Sequence, residues 1–166
     1  MDSRKGDGVL EEYVLTRLTE DFAKEICSWR YDGDYSVYNF SDWNVVVKNG
    51  WGLAIKDMRE KEFIAVLLNG KLIAYGKIRE DEGKAFIGIG LKPSWCGKDV
   101  MNLLIEECKK RFHNTPIALE VRSFNKRAIN CYKTVGFQVR DKYLKKTFNG
   151  EDEFYYMEYA YNTINK

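Results

Sequence analysis

The chain has 166 residues, 45% of them hydrophobic, 14% aromatic and 31% charged, which describes one folded domain with a sizeable core and excludes a disordered chain. Lys and Arg number 27 against 25 Asp and Glu, a net charge of +2, and that balance excludes binding nucleic acid or an anionic membrane by bulk charge. The single histidine, His113, excludes a multi-histidine metal site and leaves carboxylates, tyrosines and backbone amides as the chemical tools. Cys27, Cys96, Cys108 and Cys131 contain no C-x-x-C spacing, so no metal is expected. No apolar leader and no membrane-length apolar run occurs, so the thiols are expected reduced and the protein cytoplasmic, with no membrane partner.

Residues 1–9 are polar and read as a flexible lead-in, with one domain over 10–166. Tyr13 to Leu18 alternates and predicts a strand. Thr19 is placed to cap a helix from Glu20 to about Trp29, with Phe22, Ile26 and Trp29 on one face. Residues 31–40 (YDGDYSVYNF) have no period and read as a loop or broken helix. Ser41 with Asn44 opens a short helical stretch to about Asn49. FIAVLL (63–68) and KLIAYGKI (71–78) flank Asn69-Gly70, a strong hairpin signal. KAFIGIGL (84–91) follows as a third antiparallel neighbour. Val100 to Phe112 predicts an amphipathic helix with Leu103, Leu104, Cys108 and Phe112 inward. IALEVR (117–122) predicts a strand and Asn125 to Thr134 a helix ending at Gly136. Two closing strands meet near Asn149-Gly150. A helix between the strands at 84–91 and 117–122 implies a parallel crossover inside a largely antiparallel sheet, an α+β fold.

Three segments carry chemistry. Residues 91–99 (LKPSWCGKD) run from a strand end through a loop into a helix start. Free amides and the helix dipole there suit a phosphate or pyrophosphate. Gly97 allows close approach and Lys98 adds charge, although an ordinary loop has the same composition. In residues 118–137, Asn125, Ala128 and Tyr132 are spaced i, i+3, i+7 and share a helix face. Glu120 sits in a strand among apolar neighbours. Facing inward, its pKa rises and suits a general base; otherwise it pairs with Arg122 or a lysine. Tyr132 reads as a site residue or as a core tyrosine. Trp29, Tyr31, Tyr35 and Tyr38 cluster around residues 29–39. Covalent cysteine catalysis is disfavoured, because only His113 could activate a thiol and it is distant in sequence from Cys96 and Cys131.

The stretch Leu119-Glu120-Val121-Arg122, Asn125, Ala128, Ile129, Tyr132, Gly136-Phe137 resembles the motif of the GNAT superfamily of acyl-CoA-dependent N-acetyltransferases. It is similar above all to the version in N-terminal acetyltransferases of ribosomal proteins. The resemblance runs from about Tyr13 to Tyr159 in element order too. It implies a mostly antiparallel sheet with a central parallel, splayed strand pair flanked by helices, and acetyl-CoA as co-substrate. It also implies Tyr132 beside the sulfur as general acid, Glu120 as base, and Asn125 with Ala128 near the pantetheine arm. Ile89, Gly90 and Leu91 correspond to the strand end that pairs with pantetheine. Trp29, Tyr31, Tyr35 and Tyr38 fall where the family borders its acceptor, as a small polar pocket or as a loop anchored on the core by its aromatics.

The loop after Leu91 departs from the family form Q/R-x-x-G-x-G/A. An ungapped reading puts Cys96, Asp99 and Met101 at the required positions. A deletion of one helical turn after Lys98 fits better and reduces the cradle to the amides of Gly97, Lys98, Asp99 and Val100. Asp99 is then a candidate N-cap whose carboxylate weakens pyrophosphate binding. The function implied is acetyl transfer from acetyl-CoA to a small-molecule amine or a peptide α-amine, by direct attack in a ternary complex, by a monomer or homodimer. The other reading is a weak or inactive ligand-sensing or assembly module of the same fold, with impaired coenzyme A binding.

Overall fold

Residues 2–6, 9–93, 95, 97–147 and 150–160 are described by a computed structural model. The chain divides into two compact units, Met1–Lys77 with Ile89–Trp95, and Ile78–Gly88 with Cys96–Lys166.

The first unit holds β1 (Asp2–Gly6), β2 (Val9–Arg17), α1 (Glu20–Ser28), α2 (Trp43–Lys48), α3 (Lys56–Glu62) and β3 (Phe63–Leu68). It also takes most of β4 (Lys71–Asp81) and the end of β5 (Lys84–Leu91). Strands β1 to β4 are consecutive antiparallel neighbours. Asn69 and Gly70 take φ of 51° and 84°, the left-handed pair that a two-residue hairpin turn requires. Asn69 Oδ1 also accepts from the Glu12 amide at 3.0 Å, tying the turn to β2.

Helix α1 starts where the sequence places it. Thr19 Oγ1 accepts from the Phe22 amide at 3.2 Å. Its C-terminal carbonyls are met by Arg30, whose Nη1 donates to Cys27 and Trp29, each at 2.8 Å. Ala23, Ile26 and Cys27 from α1 join Leu18, Trp29, Val46, Leu53, Phe63, Ala65 and Leu72 in one core. Burying a side chain such as Ile26 contributes roughly 1.5–3 kcal/mol.

The second unit holds the end of β4, most of β5, α4 (Lys98–Arg111), β6 (Ile117–Arg122), α5 (Lys126–Val135), β7 (Phe137–Thr147) and β8 (Gly150–Tyr159). Strand β5 pairs with β6 in parallel through Ala85↔Ile117 and Phe86↔Ala118, with α4 as the crossover. Among the described residues this parallel register is short. Strands β6, β8 and β7 follow as antiparallel neighbours. The result is the expected mixed sheet flanked by helices.

Three expectations differ. Asp2–Gly6 forms a strand against Val9–Tyr13 in place of a flexible lead-in, because backbone pairing at the edge of β2 needs no apolar face. Lys56–Glu62 is a helix that the periodicity does not announce. Helix α4 starts at Lys98 and buries Val100, Met101, Leu104, Ile105 and Cys108. Its inward face is therefore rotated from the expected one, with Leu103 and Phe112 only half-buried.

Candidate active site

In the first unit the expected acceptor residues separate into two kinds. Trp29 is 5% exposed and packs in the core with its ring 6.3 Å from that of Tyr75. It belongs to the core of this unit, so its ring offers an acceptor little exposed surface. Tyr31, Tyr35 and Tyr38 are half-buried. Tyr35 and Tyr38 lie on a 3-10 turn, Gly33–Tyr38, with rings stacked at 6.5 Å. Tyr31 meets Tyr38 edge-on at 6.5 Å. Asn39 closes the segment on itself. Its Oδ1 accepts from the Tyr31 amide at 2.7 Å and its Nδ2 donates to the Tyr31 carbonyl at 3.3 Å.

The Tyr31 hydroxyl donates to the carbonyl of Leu91. Burial pushes its pKa up to about 12, so it is a neutral donor at any physiological pH. One residue earlier, a Cβ on Gly90 would lie 2.0 Å from Cε1 of Tyr75. Only glycine fits there. Tyr75 is half-buried against the core, and its phenol pKa is raised above its ordinary range, first by desolvation and then by Tyr31 and Cys27. Sequence reasoning missed Tyr75. The signal was available in the alternating glycines of Phe86-Ile-Gly-Ile-Gly90, which leave one strand face bare for a neighbouring ring.

In the second unit, Gly97 precedes α4 with φ −94° and ψ −4° and is its N-cap. Asp99 therefore lies inside the first turn and is not the cap. The first helical bond runs from the Met101 amide to the Gly97 carbonyl at 2.8 Å. The amides of Lys98, Asp99 and Val100 lie in the first turn, ahead of that bond. The Lys98 side chain is exposed, while Val100 is buried and offers its backbone alone.

Glu120 behaves differently from an inward-facing base. Its Oε2 accepts from the Tyr143 hydroxyl at 2.5 Å, and its Oε1 accepts from Lys145 Nζ at 2.6 Å. Burial alone would raise its pKa. The Lys145 and Tyr143 hydrogen bonds and the charges of Lys145 and Arg79 outweigh it, and the pKa is lowered. The expected rise is overturned, and the lysine-paired reading holds. Arg122 goes elsewhere, to Asp152 at 3.0 Å.

A bulge brings these partners together. Strand β7 pairs Val139 with Met157 but Asp141 with Tyr156, so Arg140 is an extra residue. Tyr156 in turn faces Glu120. Without the bulge, Tyr143 and Lys145 would fall on the opposite face of the sheet.

Asn125 is not on the face of α5. It is the N-cap, with φ −82° and ψ 71°, and its Oδ1 accepts from the Ala128 amide at 3.1 Å. Ala128 and Tyr132 do share a face, one turn apart. Tyr132 is buried, its ring edge-on to Phe137 at 6.3 Å.

Among the described residues no group of three or more His, Cys, Asp or Glu could hold a metal ion, and no helix is long and apolar enough to cross a membrane. An open pocket of about 510 Å³ is lined by Lys109, His113, Asn114, Pro116 and Tyr159. It contains none of the expected site residues.

A model of the acetyltransferase (GNAT) family matches residues 18–137, which span the Leu91 strand end, the α4 start and all of α5. The chain belongs to this family. A comparison with curated protein sequences finds no match. Solved structures share the fold. The ribosomal-protein-S18-alanine N-acetyltransferase of Escherichia coli is 19% identical, with a TM-score of 0.62 over 89% of this chain and 93% of that one. A chimera of the Vibrio cholerae spermidine N-acetyltransferase SpeG with hSSAT is 15% identical, with a TM-score of 0.71 over 89% and 94%. AAC(6')-Ib in complex with paromomycin and acetyl-CoA is 18% identical, with a TM-score of 0.67 over 93% and 96%. The GNAT chain described here thus combines the family's strand, loop and helix order with a tyrosine-backed strand end and a salt-bridged Glu120.

Proposed function

We propose that this GNAT chain transfers an acetyl group from acetyl-CoA to a primary amine by direct attack in a ternary complex. The observation that carries the reading is the family match across residues 18–137, which contains both the α4 start and Tyr132. The names of the three similar structures fit it: an alanine N-acetyltransferase, a spermidine N-acetyltransferase, and a complex holding paromomycin together with acetyl-CoA.

The chain's own groups suit acetyl-CoA as a substrate. Gly97 is the N-cap of α4 and brings no side chain, so the first turn at Lys98, Asp99 and Val100 is open to close approach by a pyrophosphate, with the helix dipole and Lys98 adding charge. Asp99 works against this and sets a modest affinity. Ile89, Gly90 and Leu91 supply backbone to the pantetheine arm, and Ala128 a small side chain beside it. Asn125 contributes through the cap that fixes the start of α5. Tyr35 and Tyr38, with Tyr31, face the amine.

Energetics narrow the acceptor. A lysine-type amine loses its proton at a cost of ~4.6 kcal/mol at pH 7, an α-amine at about 1.1 kcal/mol. Glu120 is held ionised with its pKa lowered, so it is a weak base, and the α-amine or another amine of low pKa is the better acceptor. Full proton transfer from Tyr132 to a thiolate is uphill by about 2 kcal/mol in water. Tyr132 therefore donates a hydrogen bond to the departing sulfur. The test is release of coenzyme A thiol with a panel of peptide α-amines, polyamines and aminoglycosides. Release with at least one α-amine substrate is expected; no release across the panel contradicts the reading.

A further inference from the structure

We propose that Tyr31 is a positioning residue of the transfer, holding the end of β5 for acetyl-CoA and tying it to the aromatic segment that faces the amine. This rests on the reading of Ile89–Leu91 as the coenzyme strand.

The peptide group between Leu91 and Lys92 is gripped at both ends. Its carbonyl accepts from the Tyr31 hydroxyl, and its N–H donates to the Ile73 carbonyl at 2.8 Å. Just before it, the Tyr75 ring presses where a Cβ on Gly90 would stand. The strand end has little freedom to rotate, so its remaining backbone groups keep one orientation. Tyr31 is itself fixed, because Asn39 binds both its amide and its carbonyl. A half-buried donor whose backbone is held at both its amide and its carbonyl loses little entropy when it orders an acceptor. A strand end set in advance binds its ligand more tightly than one that must be ordered on binding, and Tyr31 supplies that order from the 31–39 segment. Removing the hydroxyl leaves a half-buried carbonyl without this donor and the Leu91–Lys92 peptide held through its N–H alone.

The experiment is titration calorimetry of the full chain with acetyl-CoA alone as the probe, beside melting of the ligand-free protein. Tyr31→Phe is expected to weaken acetyl-CoA binding about 5- to 10-fold. Asn39→Ala keeps the hydroxyl but frees its support, and is expected to weaken binding about 2- to 3-fold. In turnover, the loss falls on KM for acetyl-CoA rather than on kcat. Unchanged acetyl-CoA affinity in Tyr31→Phe overturns the inference, even with a lower melting temperature, because the hydroxyl is then a strut of the fold alone. If Tyr31→Phe does not fold, unchanged affinity in Asn39→Ala overturns it. A wild-type chain that takes no acetyl-CoA overturns both this inference and the proposed function, whereas wild-type binding with unaffected variants overturns this inference only.

Discussion

Glu120 of β6 is bound to Lys145 of β7 across 2.6 Å, although 25 residues separate them. The pairing lowers the carboxyl pKa and gives folding a pH dependence of defined sign. A carboxylate with a depressed folded pKa stabilises the fold above its unfolded pKa of ~4.3 and loses that contribution as pH falls through the lower folded value. Lys145 is half-exposed, so solvent screening keeps the effect below about 1 kcal/mol. Lys145→Met is expected to lower stability at pH 7 by less than about 1 kcal/mol, to leave it nearly unchanged below the folded pKa of Glu120, and so to move the acid-unfolding midpoint to higher pH. Acid titration followed by circular dichroism checks this, and an unmoved midpoint would contradict the pairing.

A weakened base has a kinetic signature as well. Glu120→Gln is expected to slow transfer to a lysine-type amine about 10- to 100-fold, at the low end of general-base contributions. The effect on an α-amine is smaller, since its proton costs less to remove. Equal slowing for both acceptors would remove Glu120 from the proton path.

Tyr132→Phe keeps the buried ring and its edge contact with Phe137 while deleting the hydroxyl. Turnover is expected to fall about 10- to 100-fold, with the dissociation constant for acetyl-CoA changed less than about twofold. Loss of acetyl-CoA binding instead would assign the hydroxyl to the ground state.

Gly90→Ala is expected to destabilise the protein by about 1–3 kcal/mol, because the new methyl meets the Tyr75 ring at 2.0 Å. In a Tyr75→Ala background the same change should cost much less. Urea unfolding of the four proteins gives the coupling. Additive costs would mean that the ring does not back this strand end.

The fold was legible where local chemistry and tertiary packing agree. Thr19 caps α1, Asn69-Gly70 turns the hairpin, and Gly136 ends α5 at φ 118°. Helix α3 was not legible because KDMREKE has almost no apolar residue. It is held by Arg59, a buried guanidinium that donates to the Leu53 carbonyl at 3.1 Å. The motif from Glu120 to Phe137 marked the family, but the state of Glu120 was hidden. Its partners come from another strand, and the extra residue at Arg140 decides which face they occupy. Alternation along β7 counts residues and does not reveal a bulge. Asn125 illustrates a smaller ambiguity. Its spacing fits the face of Ala128 and Tyr132, yet the same residue type at a helix start prefers to cap.

The loop before α4 holds the most direct test of the account. In the proposed function acetyl-CoA binds at the first turn of α4, Lys98 to Val100, with the Asp99 charge opposing it. Titration calorimetry of wild type and Asp99→Asn with acetyl-CoA should show binding in both, tighter in Asp99→Asn by about 3- to 10-fold at low salt. No binding by either protein at millimolar acetyl-CoA would contradict the account.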